Sequence, residues 1–210
     1  MRRSDITGYV LAGGGSRRMG TDKALIPWGS GTLLSHALSV LQDVVTEVFV
    51  VSSNFGHHAA LPDAVPGQGP LGGISTALSR SATDWNLVFA VDLPLVDAQW
   101  FRWLADVCDR TASDAVLARV QGRLQPLCAA YHRRLLPAFD AALKNGELSI
   151  HRLLESPGRG KMDAHKRIEI IDEPQLITKG FSQQMFANVN TPEDLAKVKR
   201  LAQVSHGNDD

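Results

Sequence analysis

Leu11-Ala12-Gly13-Gly14-Gly15-Ser16-Arg17-Arg18-Met19-Gly20-Thr21-Asp22-Lys23 is the stretch on which the reading of this chain turns. The apolar run before it, Tyr9-Val10-Leu11, predicts a buried strand. The loop then places four glycines beside three cations, Arg17, Arg18 and Lys23. Glycine has no Cβ, so backbone N–H groups can come close to a ligand. Strand, glycine loop and clustered cations together suit a polyphosphate. A plain basic surface turn rarely needs three glycines in a row.

Two better-known phosphate patterns fail on these residues. Gly15 and Gly20 have the spacing of a Walker loop, but Thr21-Asp22 stands where Lys-Ser/Thr belongs, and Lys23 comes two positions late. Gly13 and Gly15 begin a dinucleotide fingerprint, but Arg18 stands at its third glycine. The strand predicted over 47–52 leads into Ser53-Asn54, with no acidic residue to hold a ribose.

Outward from the loop, strand and helix signals alternate. Strands are predicted at 6–11, 48–51, 85–91, 115–118, 127–131 and 168–171. Leu33, Leu34, Ala37, Leu38 and Leu41 recur at helical spacing. Helices are also predicted from Leu71 after Pro70, after a cap at Asp97, over 135–143 and over 192–201. This order predicts an α/β three-layer sandwich with a mainly parallel, Rossmann-like sheet. In such sheets ligands sit at the carboxyl ends of the strands. The glycine loop, residues 52–54 and Val91-Asp92 all fall on that edge. One domain is expected over 1–202, with a flexible tail over 203–210; residues 156–161 are the one flexible internal stretch.

Composition excludes several classes. Basic and acidic side chains balance at 22 each, which argues against a nucleic-acid surface. No apolar run reaches a membrane span, and the first residues lack the apolar segment of a signal peptide, so the cytoplasm is the default. The two cysteines, Cys108 and Cys128, are expected to be buried and reduced. His57-His58 are adjacent and do not share a face, so they make a poor metal site. Ser16 is not in a nucleophile elbow.

Asp92 follows an apolar strand and precedes Leu93-Pro94. A carboxylate there can hold Mg²⁺, which prefers oxygen ligands and shares them with substrate phosphates. The other reading has Asp92 ordering the turn before Pro94. Asn54 is a candidate for base or ribose, and Asp63 alone reads as a turn aspartate. Gly69, Gly72 and Gly73 flank a helix start whose N–H groups can meet an anion, or else they let the helix pack on the first loop. Asn188 and Asn190 alternate around Val189 and share a face. Thr191 can cap the last helix, with Asp194 completing a weaker capping box.

Leu-Ala-Gly-Gly-x-Ser-x-Arg-Met-Gly-x-Asp-Lys, ending at Lys23, resembles the signature loop of the molybdenum cofactor nucleotidyltransferases, within the superfamily of the sugar-nucleotide pyrophosphorylases. Gly69-Pro70-Leu71-Gly72-Gly73-Ile74, Asp92-Leu93-Pro94 and Asn188-Val189-Asn190-Thr191-Pro192-Glu193-Asp194-Leu195 match in the same order. Gly13-Gly14 after Leu-Ala resembles the guanylyltransferase branch. The resemblance implies a nucleotide-diphospho-sugar transferase type of fold. It also implies Mg²⁺-dependent transfer of GMP from GTP to molybdopterin, with release of pyrophosphate. It makes Lys23, Arg18 and Asp92 catalytic and Asp92 the metal ligand. Leu11, Ala12, Gly13, Gly14, Gly15, Lys23, Asn54, Asp63, Gly69, Gly73 and Asp92 would line the nucleotide, and Asn188 and Asn190 would meet the pterin. Transient contacts with other proteins of molybdenum cofactor biosynthesis are part of the same expectation. Cytidylyl or sugar-phosphate transfer, a non-catalytic nucleotide-binding regulator and a molybdopterin carrier remain open on the residues alone.

Overall fold

Nine residues, Arg3–Leu11, form β1, and its side chains alternate between two buried faces. Ile6 and Val10 face one apolar core; Tyr9 and Leu11 face the other. The structure, a computed structural model, describes residues 3–13, 22–52, 60–62, 67–155 and 167–206. Gly14, Gly15, Ser16, Arg17, Arg18, Asn54, His57, His58, Asp63 and residues 156–161 therefore lie outside the described residues.

After the glycine loop, a 3-10 turn at Lys23–Leu25 leads to a hairpin of β2 (Pro27–Trp28) and β3 (Gly31–Thr32). Thr32 caps α1 (Leu33–Gln42), exchanging hydrogen bonds with Ser35. Next come β4 (Val45–Ser52), β5 (Ala60–Pro62) and α2 (Gly69–Arg80). β6 (Trp85–Ala90) precedes α3 (Ala98–Cys108), and the Asp97 carboxylate accepts from the N–H groups of Gln99 and Trp100 at its start. β7 (Ala115–Val120), β8 (Arg123–Leu124) and β9 (Cys128–His132) lead to α4 (Leu136–Lys144) and α5 (Ile150–Glu155). β10 (Ile168–Ile171), α6 (Glu173–Thr178) and α7 (Pro192–His206) complete the chain.

The main sheet has the order β10-β7-β9-β6-β1-β4-β5, with β8 on β7. β1 lies parallel to both β4 and β6. β9 runs antiparallel to β6 and β7, so the sheet is mixed on that side and parallel around β1. Residues of α1 and α3 fill one face, and residues of α2, α4 and α5 fill the other. This is the three-layer α/β sandwich that the alternation predicts. Cys108 and Cys128 are buried free thiols, and burial raises both above the ordinary thiol range. The last helix runs past the expected end at Leu201 to His206, which shortens the expected tail. Among the described residues, no helix is long and apolar enough to cross a membrane.

Candidate active site

The first loop leaves the sheet between its two parallel neighbours. Ala12 N–H donates to the Val51 carbonyl at 2.9 Å, and Val91 N–H donates to the Leu11 carbonyl at 3.2 Å. These bonds extend the ladder one step past the strands and hold Leu11 and Ala12, both buried, at the sheet's carboxyl edge. Gly73 of α2 sits behind them. A Cβ on Gly73 would stand 3.4 Å from Leu11 Cδ2, an ordinary contact distance, so α2 packs on the end of β1 here without space alone requiring glycine. Gly69 has φ +62°, a conformation that favours glycine, and no side chain caps the start of α2.

Lys23 is presented by a built turn. The Asp22 carboxylate accepts from Ala24 N–H at 3.0 Å, and Ile26 N–H donates to the Lys23 carbonyl at 3.1 Å. Ala24 and Ile26 are buried under the turn and anchor it in the core. Asp92 is anchored in the same way, between the buried side chains of Val91 and Leu93. The third component comes from the far end of the chain. Val189, fully buried, donates its N–H to the Asp92 carbonyl at 2.8 Å. That bond draws the segment 188–191 against the end of β6.

Three side chains converge as a result. Lys23 Nζ lies 2.6 Å from Asn190 Oδ1, to which it donates, and 3.6 Å from Asp92 Oδ2. The Lys23 and Asp92 side chains are each 20% exposed, so the pair is deep but open to a ligand. Burial holds the Asp92 carboxyl above the usual carboxylate range, and the positive charge of Lys23 pulls it back only in part. Asn190 is fixed from behind. Asp194 Oδ2 accepts from Asn190 N–H at 3.0 Å and Thr191 N–H at 2.9 Å, while Asp194 N–H donates to Thr191 Oγ1 at 3.2 Å. The capping box is thus complete and takes one extra donor. These bonds hold the Asp194 carboxyl below the usual range. Asn188, across Val189, is exposed.

The structure brings Lys23, Asp92 and Asn190 together, next to Leu11 and Ala12, with Gly73 packed behind Leu11. Gly13 follows Ala12 at this edge, and Gly69 opens α2. Sequence reasoning missed the support, namely the Asp22 cap under Lys23 and the grip of Asp194 on Asn190. Their signals were short polar residues at turn starts, which read as caps and no more.

Parallel strands around β1, with Lys23 and Asp92 meeting at their carboxyl edge, suit the α/β class of nucleotidyltransferases. The model for the MobA-like NTP transferase domain matches residues 8–163, and the chain belongs to that family. A probable molybdenum cofactor guanylyltransferase of Bacillus anthracis is 35% identical over 207 residues, covering 94% of this chain and 97% of that protein. A protein of the same description from Carboxydothermus hydrogenoformans is 29% identical over 201 residues, covering 94% and 96%. Among solved structures, molybdopterin-guanine dinucleotide biosynthesis protein A of Archaeoglobus fulgidus superposes with a TM-score of 0.77 at 22% identity, covering 94% of this chain and 98% of that one. A methylerythritol phosphate cytidylyltransferase of Thermus thermophilus shares the fold at a TM-score of 0.63 and 18% identity, covering 97% and 100%.

Proposed function

We propose that this protein transfers GMP from GTP to molybdopterin and releases pyrophosphate, a step of molybdenum cofactor biosynthesis. The observation that carries the reading is the meeting of Lys23, Asp92 and Asn190 at the carboxyl edge of the sheet. The curated relatives, described as probable molybdenum cofactor guanylyltransferases, support guanylyl transfer, and the resemblance of the signature loop implies GTP and molybdopterin as the substrates.

The reaction needs no enzymic nucleophile. An oxygen of the acceptor's terminal phosphate attacks the α-phosphorus of GTP, forming a P–O bond. The bond from the α-phosphorus to the β-bridging oxygen breaks, and pyrophosphate leaves with that electron pair. A phosphate monoester is already ionised at neutral pH, so no strong general base is required. The protein's work is alignment and charge neutralisation. Lys23 stabilises the triphosphate as charge moves onto pyrophosphate. Arg18 assists it, and Gly13, Gly14 and Gly15 offer backbone N–H groups to the phosphates. Asn54, Asp63 and Gly69 complete the nucleotide's surroundings, and Asn188 faces the pterin.

A divalent metal fits this donor set at Asp92. Among the described residues no group of three His, Cys, Asp or Glu side chains forms a cage. Asp92 is a hard oxygen donor at the edge where the phosphates lie, and one carboxylate plus substrate phosphates is how Mg²⁺ is commonly held. Mg²⁺ on Asp92 would neutralise phosphoryl charge in the transition state.

The test is direct. The protein is incubated with Mg²⁺, molybdopterin and each common nucleoside triphosphate, and the product is weighed. The reading predicts molybdopterin guanine dinucleotide. A cytosine dinucleotide would assign the cytidylyl branch, and pyrophosphate release without a pterin product would redirect the search to sugar phosphates.

A further inference from the structure

The ammonium of Lys23 stands between two hard oxygens. Asn190 Oδ1 is 2.6 Å away and Asp92 Oδ2 is 3.6 Å away. Both residues are anchored through their backbones. Val189 N–H holds the Asp92 backbone, and Asp194 holds Asn190 N–H. Neither carrier segment is therefore free to collapse onto the other once the ammonium leaves. Two side-chain oxygens on anchored backbones, one of them a carboxylate, facing a common point describe a place for a cation. The lysine occupies that place.

We propose that Lys23 is a tethered counter-ion that suppresses divalent-cation binding at Asp92 and Asn190 until a triphosphate draws its ammonium away. A divalent ion on Asp92 Oδ2 would lie a few ångströms from a fixed positive charge. At that separation the repulsion lowers affinity by about tenfold or more, even with partial screening. A triphosphate offers Lys23 a larger negative charge than Asp92 does, and it brings phosphate oxygens to complete the metal's shell. Binding of metal and nucleotide is then coupled through one side chain, and the protein holds little metal without nucleotide. That last step rests on the nucleotidyl-transfer reading; the suppression itself does not.

The test uses Mn²⁺ alone, without nucleotide or acceptor, on the full chain at pH 8, with free Mn²⁺ followed by electron paramagnetic resonance. Lys23→Ala is expected to bind Mn²⁺ about tenfold more tightly than wild type. Lys23→Arg keeps the charge and is expected to bind as weakly as wild type. The gain is expected to vanish in Lys23→Ala/Asp92→Asn. Lys23→Met serves in the same role where Lys23→Ala melts well below wild type. A neutral variant that binds Mn²⁺ no more tightly than wild type overturns the proposal, as does a gain that survives loss of the Asp92 carboxylate. No nucleotide is present, so a failed transfer assay leaves this result unaffected, and the two failures are told apart.

Discussion

Two cation–carboxylate contacts stand at opposite ends of the sheet, and they are built differently. At the amino end, Arg3 closes on Asp109 with two bonds of 2.6 Å and on Asp5 at 2.7 Å. The Asp109 and Asp5 side chains are 53% and 63% exposed. At the carboxyl end, Lys23 approaches Asp92 only to 3.6 Å, in a recess where both are mostly covered. The first cluster is saturated: the Arg3 bonds hold the Asp5 carboxyl below the usual range. In the second, burial outweighs the lysine and raises the carboxyl. A cluster that only trims the surface closes on itself, is screened by water and contributes little. A looser pair in a recess of lower dielectric keeps a stronger field for a ligand.

Replacement of the deep pair should cost function, and replacement of the shallow one should not. Asp92→Ala should lower the transfer rate about a thousandfold, through loss of charge stabilisation worth about 4 kcal/mol, with the circular dichroism spectrum unchanged. Transfer at limiting Mg²⁺ is the measurement, and wild-type turnover there would remove Asp92 from the metal. Lys23→Ala should lower kcat about a hundredfold as well as raise KM for GTP, because its contact strengthens as pyrophosphate leaves. A change in KM alone would mean uniform binding.

The asparagines divide the site more finely. Asn190 holds Lys23 and Asn188 does not, so single replacements should separate two substrates. Asn188→Ala should weaken molybdopterin binding alone. Asn190→Ala should also reduce kcat with GTP, by about tenfold for one charge-assisted hydrogen bond. Calorimetric titration of each variant with each substrate reads this difference; equal loss of both affinities with a lowered melting temperature would make the segment structural.

Acid should reach the deep site early. The folded carboxyl of Asp92 titrates above the ordinary value, so transfer should decline as pH falls through that raised value, before the ordinary carboxylates are protonated. Carboxyl NMR should place Asp92 above Asp5 and Asp194, both of which are lowered. In Lys23→Ala the Asp92 titration should move higher still, since the lysine is what pulls it down. Arg3→Ala should be the mildest change. It should cost under about 1 kcal/mol of stability, seen in urea unfolding, and leave transfer untouched.

Much of this was legible from the residues. Apolar runs at β1, β4 and β6 are long enough to show themselves, and the glycine loop and Asp92 follow from where those strands end. What stayed hidden was short or distant. β2, β3 and β8 span two residues each, too few to carry any periodicity. α5 and α6, at six residues, are only a turn and a half. The antiparallel course of β9 depends on which neighbour it pairs with, and its sequence of small apolar residues suits either direction. The contact between Lys23 and Asn190 crosses 167 positions. Both residues were marked as candidates, but for different substrates. Their direct hydrogen bond depends on the bond from Val189 N–H to the Asp92 carbonyl, which seats the distant segment at this edge.

The central claim is attack at the α-phosphorus of GTP by a phosphate of the acceptor. Parallel reactions of wild-type protein with α-labelled and γ-labelled GTP, in the presence of Mg²⁺ and molybdopterin, test it most directly. The α label is expected in the pterin dinucleotide and the γ label in pyrophosphate, with both products formed about a thousandfold more slowly by Asp92→Ala. Recovery of the γ label in orthophosphate or on the acceptor would contradict it.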